Sequence, residues 1–189
     1  MQYKVIIALL VIVSITLLPI LAWEKTRRTV PFVGVLYLLF IYIYQDLVLG
    51  NITATHDTYW SSTYFYSFVR QWIVSDVSLG WNPYLGGGQP LSLFSNYILH
   101  SPVFIFAKLF SFLGWNFSHE HFFSLIWVFN HLCICTGMYL LLYLLLDSLI
   151  PSLFGMVSLL LGGFFIGGLA APDGYYVLIF LPYLLFSII

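Results

Sequence analysis

The apolar run at residues 3–23 constrains this chain more than any other feature. It is broken only by Lys4, Ser14, Thr16 and Pro19. At about 1.5 Å per residue, a helix of that length crosses a hydrocarbon layer of about 30 Å. Residues 30–49, 122–146 and 151–170 repeat the pattern, and residues 175–189 make up the beginning or most of a further span. Hydrophobic residues are 61% of the 189 and charged residues only 7%, too few to cover a water-facing surface of ordinary polarity. The expected fold is therefore an all-α integral membrane protein, a multi-span helical bundle forming a single membrane domain. A cleavable leader fits residues 3–23 less well, because the run is long and Ile20 and Ala22 make a poor cleavage site. The apolar ending, with no interfacial anchor after Tyr183, is what a piece of a longer protein would show.

Charge sets the expected orientation. Six Lys and Arg against seven Asp and Glu leave a net charge of -1, so no basic field is present for a nucleic acid. Lys25, Arg27 and Arg28, with Glu24, form the only positive cluster, and the positive-inside rule assigns them to the cytoplasm. Residues 30–49 then run outward. Residues 50–121 form a large first external loop, because much of this stretch is rich in Asn, Thr, Ser, Gly and Pro. Within it, Phe65, Phe68, Val69, Trp72 and Ile73 oppose Thr63, Ser67, Arg70 and Gln71, the spacing of a helix lying on the membrane surface over residues 58–74. Residues 91–113 either span or lie flat. The flat reading is preferred, because a mid-span Lys108 costs about 2.5–3.5 kcal/mol on insertion scales. The later spans are joined by short links and are expected to be antiparallel neighbours. Gly162, Gly163, Gly167 and Gly168 point to close helix packing. Cys133 and Cys135 face different sides of a helix and read as small core residues, and His131 as a side chain bonded to a neighbouring helix.

Several residues could carry chemistry. Asp57, after His56, stands just beyond the second span. Its carboxylate could accept a proton from a hydroxyl or hold a divalent cation beside a phosphate leaving group; the same side chain could equally cap the following helix. Gly86, Gly87 and Gly88, followed by Gln89, allow a close backbone approach to a phosphate or simply make a turn. Arg70 and Lys108 could meet a phosphate as charge-assisted donors. Asp173, in the Pro-Asp-Gly link, returns to the same face as Asp57 and could share a cation with it, or form the turn alone. His119 and His121 are two apart and read as interfacial residues, since a metal pair would need an extended backbone there.

The order of these features, an external His-Asp, an amphipathic helix ending in RQW, then WNPYLGGGQPL and NYILHSPVFIFAKLF, resembles the start of the YfhO-like polytopic membrane proteins, which are similar to GT-C glycosyltransferases. The likeness covers about residues 30–189. It implies a multi-span enzyme of the bacterial plasma membrane that transfers a sugar from a polyprenyl-phosphate donor to an extracytoplasmic acceptor. Asp57 matches the essential acid of the first external loop. Asp173 is comparable, more weakly, to a second acid that helps bind Mg2+ or Mn2+ in some GT-C members. His56, Arg70, Gly86, Gly87, Gly88, Gln89 and Lys108 would line the donor. The chain departs from the pattern in its extra first span and in lacking many later spans. A second reading from another class is a non-catalytic membrane protein that binds or translocates a lipid-linked envelope precursor.

Overall fold

A computed structural model describes residues 2–49, 81–82, 89–90, 111–112, 114, 119–162 and 181–188. Apart from one two-residue ladder, its regular structure is helical. Helix α1 is Gln2–Ala22, α2 is Val30–Ile43 and α3 is the single turn Gln45–Val48. Helix α4 is His119–Leu146, α5 is Leu149–Leu161 and α6 is Leu181–Ile188. Strands β1, Trp81–Asn82, and β2, Gln89–Pro90, pair antiparallel with Trp81 opposite Pro90 and Asn82 opposite Gln89.

The ends of these elements follow from sequence. α1 stops where the apolar run meets Glu24 and Lys25, and the chain reverses through a tight 3-10 turn at Arg27–Thr29. The Thr26 hydroxyl donates to the carbonyls of Ile20 (2.9 Å) and Trp23 (3.1 Å), and the Arg27 Nε to that of Leu21 (3.3 Å). Two of the carbonyls left open at the end of α1, those of Ile20 and Leu21, are thereby occupied. Helix α2 begins with Pro31 in its first turn, where a missing N–H costs nothing. It ends at Tyr44, before the polar Gln45 and Asp46 that start α3. α4 begins at His119 rather than at Phe122, so the backbone there is helical and not extended as a His119–His121 metal pair would require. Only Asp147 and Ser148 separate α4 from α5, and Asp147 adopts a left-handed conformation (φ 43°) to turn the chain. α5 ends at Leu161, with Gly162 extended at φ -79° and ψ 164°.

Helix α4 is the hub. It packs against α1, α3, α5 and α6, and α2 reaches it through Tyr37 and Phe40. Thr29 meets Tyr139 while Phe40 meets His131, so α2 runs antiparallel to α4. Thr16 meets Thr136 and Trp23 meets Tyr143, so α1 runs parallel to it. Helix α5 runs back alongside α4, its buried Ser152, Met156 and Leu160 spaced four apart on one face.

Two helical stretches, Tyr3–Ala22 and Trp127–Leu146, are long and apolar enough to cross a membrane. Large apolar side chains stand on the outside as well as in the core, and several polar ones are buried. Val35, Ile150 and Phe154 are 64%, 80% and 74% exposed, whereas Thr16, Thr136, Ser152, Asn130 and His131 are buried.

Candidate functional site

Of the residues singled out from sequence, His56, Asp57, Arg70, Gly86, Gly87, Gly88, Lys108 and Asp173 lie outside the described residues. Gln89 lies in β2, where its backbone position faces Asn82 of β1, the Asn of the Trp-Asn-Pro motif. The glycine run is thus spanned by an antiparallel ladder joining its two flanking motifs. Leu49 and His119, the described residues on either side of this stretch in the helical core, stand at one end of that core. α3, which continues α2, packs on α4, whereas Lys25 and Asp147 meet at 3.8 Å at the opposite end.

What the described residues do bring together is a buried polar seam between α1, α2 and α4. The hydroxyls of Tyr37 and Thr136 are 2.5 Å apart, and the Tyr37 hydroxyl also donates to the Leu132 carbonyl at 3.2 Å. Thr136 donates in turn to the backbone carbonyl of Thr16, 3.0 Å away. About one turn further along α4, at the Lys25 end, the Tyr139 hydroxyl donates to Thr29 at 2.7 Å, and Thr29 to the Thr26 carbonyl at 2.6 Å. Apart from the local Thr29–Thr26 bond, these links join residues about a hundred positions apart in sequence. The seam escaped sequence reading because Tyr and Thr sit inside runs whose every face is apolar. Its one visible signal was the presence of hydroxyls within spans, where partners are wanted.

Further along α4, the His131 ring stacks between Phe40, at 5.3 Å, and Trp127, at 6.0 Å. It also hydrogen-bonds the backbone of Leu160 in α5, in line with its reading as a helix-to-helix bond. Its Nε2 lies 3.7 Å from the Cys135 sulfur, which brings a base near a nucleophile. Both side chains have no accessible surface, so no substrate reaches them in this conformation. Cys133 and Cys135 are free thiols, partly and fully buried, as their reading as core residues requires. Among the described residues no group of three His, Cys, Asp or Glu side chains could hold a metal ion. The seam is a set of neutral hydroxyls, and its chemistry is adhesion between helices.

Comparison with known proteins adds no relative: no family model, no curated protein and no solved structure matches the chain.

Proposed function

We propose that the chain is an integral membrane protein, and that it is a GT-C-type glycosyltransferase, or part of one, acting on a polyprenyl-phosphate-linked sugar outside the cytoplasm. The membrane reading rests on the apolar exterior: Leu10, Leu18, Val35, Leu38 and Phe154 face outward while hydroxyls such as those of Thr16, Thr136 and Tyr37 are buried and paired. A contiguous apolar exterior of this kind is stable against acyl chains and not against water. The enzyme reading is supported by the resemblance around Asp57 and the glycine run, and by one geometric observation that carries it. The segment bearing those motifs is attached at the end of the bundle opposite Lys25, Arg27 and Arg28, which is the external end under the positive-inside rule.

In this reading Asp57 takes the proton of the acceptor hydroxyl as that oxygen bonds to the anomeric carbon of the donor. The bond from that carbon to the phosphate oxygen breaks, and the polyprenyl phosphate leaves with its negative charge met by Arg70 and Lys108.

The test separates catalysis from helix capping, because Asn caps about as well as Asp but cannot serve as a carboxylate base. In membranes holding the intact protein and a polyprenyl-phosphate sugar, Asp57→Asn is expected to lower transfer by about 10² or more while thermal stability stays at the parent value. Nearly full transfer by Asp57→Asn would make the carboxylate a cap only. Binding of the donor without any transfer would favour the lipid-precursor binder instead.

A further inference from the structure

The reversal between α1 and α2 holds a surface that turning the chain does not require. In a 3-10 turn, residues three apart share a face. Thr26 and Thr29 are accordingly buried together, their hydroxyls donating to the carbonyls of Ile20 and Thr26, while Arg27 and Arg28 are exposed between them. The Arg27 Nε donates to the Leu21 carbonyl at 3.3 Å, which holds that guanidinium against the end of α1 and leaves its two amino groups for another acceptor. Lys25 has an acid, Asp147, at 3.8 Å, and among the described residues no ion pair is formed by Arg27 or Arg28. Glu24 is the other acid of this end, and it too is exposed.

The surroundings fit one kind of occupant. Leu18 and Leu21 of α1 and Phe32 and Val35 of α2 point outward on the helical turns flanking the two arginines. Trp23 packs edge-on against Tyr143 and Phe186, at 5.7 and 5.3 Å, at the same end of the bundle. Aromatic rings at the end of an apolar slab mark the depth of lipid headgroups. A guanidinium at that depth presents a planar fork that matches the oxygens of a phosphodiester.

We propose that Arg27 and Arg28 form a collar that binds the phosphodiester of anionic glycerophospholipids and so selects them over zwitterionic ones around the α1–α2 hairpin. The selection arises because a zwitterionic headgroup carries its own ammonium beside the phosphate, which repels the same guanidinium. The inference rests on the membrane reading above and is independent of the glycosyltransferase reading.

The experiment uses the intact chain in vesicles with spin-labelled phosphatidylglycerol or phosphatidylcholine, and reads the share of each label immobilised at the protein. The parent prefers phosphatidylglycerol. Arg28→Gln lowers that preference by up to about five-fold, the effect of one basic side chain at an anionic surface. Arg27→Gln with Arg28→Gln brings it near unity, while Lys4→Gln, at the other end of α1, leaves it unchanged. The paired change to Lys keeps the charge and retains most of the preference, which separates loss of charge from loss of fold. An unchanged preference in the double Gln variant overturns the collar. Displacement of the lipid label by millimolar inorganic phosphate also overturns it, in favour of a site for soluble anions. A parent chain that fails to float with vesicles would instead overturn the membrane reading, so the two failures are distinguishable.

Discussion

On the side of α4 that meets α1 and α2, contact is made through hydroxyls: Tyr37 with Thr136, Thr136 with the Thr16 carbonyl, and Tyr139 with Thr29. On the side that meets α5 and α6, it is made through missing side chains. A Cβ on Gly137 would come within 2.9 Å of both Pro182 and the Tyr183 ring, and one on Gly155 would strike Leu142. Polarity on this second side includes the bonds from His131 to Leu160 and from the Tyr183 hydroxyl to the Cys133 carbonyl, at 2.9 Å. The difference shows two ways of joining helices, both suited to the membrane reading proposed above, in which apolar burial gives no preference for a neighbour over an acyl chain. Hydroxyls fix register, because a slip along the helix separates donor from acceptor. Glycines fix distance, because dispersion falls steeply once a gap opens.

The comparison is broken most directly at Gly137. Alanine there gains up to about 1 kcal/mol of helix propensity, but it collides with a proline that cannot swing aside, and overpacking of this kind costs about 1–3 kcal/mol. We expect Gly137→Ala to destabilise the bundle in mixed-micelle unfolding and to weaken the docking of α6. Stability equal to the parent would mean that α6 does not sit against α4. Thr136→Val comes next, since it keeps the shape and removes both the Tyr37 partner and the donation to Thr16. Interhelical hydrogen bonds in membrane proteins average about 0.6 kcal/mol and reach about 1.7, so a loss of about 1–1.7 kcal/mol is expected. A double-mutant cycle with Tyr37→Phe should show that the two losses do not add, and strict additivity would dissolve the seam. The smallest effect is at Gly155. There the obstacle is the flexible end of Leu142, and a rotamer shift of about 0.5–1.5 kcal/mol is nearly balanced by the gain in helix propensity. Gly155→Ala should therefore lie within about 1 kcal/mol of the parent, and a larger loss would show that α5 is as tightly fitted as α6.

Helix existence was legible in the sequence and helix orientation was not. The run at residues 3–23 and the helix Gln2–Ala22 nearly coincide, because Glu24 and Lys25 end the apolar stretch abruptly. Residues 30–49 read as one unit, whereas the helix pauses at Tyr44, since Gln45 and Asp46 seek water at its outer end. Which face of α2 turns inward could not be read at all. Tyr37 is buried and Tyr42 is 68% exposed, yet both sit among Leu, Phe and Ile. The outward face of α2, with Phe32, Val35 and Leu38, is as apolar as the inward one, so the periodicity that orients a helix in water disappears. Candidate chemistry was legible in a different way, through charged and glycine-rich stretches such as Asp57 and Gly86–Gly88 that have no place in an apolar span. Those residues lie outside the described part, and Gln89 alone connects them to it.

The length of chain between the seam's partners has a consequence for biogenesis. Tyr37 and Thr136 are 99 residues apart, and the Tyr139–Thr29 pair 110. At synthesis rates of about 5–20 residues per second, the α1–α2 hairpin is made roughly 5–20 s before its partners on α4. During that interval Thr16 is occupied, because its hydroxyl already bonds the carbonyls of Ile12 and Val13, and Thr26 and Thr29 are likewise bonded within the hairpin. The two partners of the Tyr37 hydroxyl, the Leu132 carbonyl and the Thr136 hydroxyl, both belong to α4. The newborn hairpin is thus self-sufficient at every threonine, while one tyrosine waits for α4 to supply its hydrogen-bond partners.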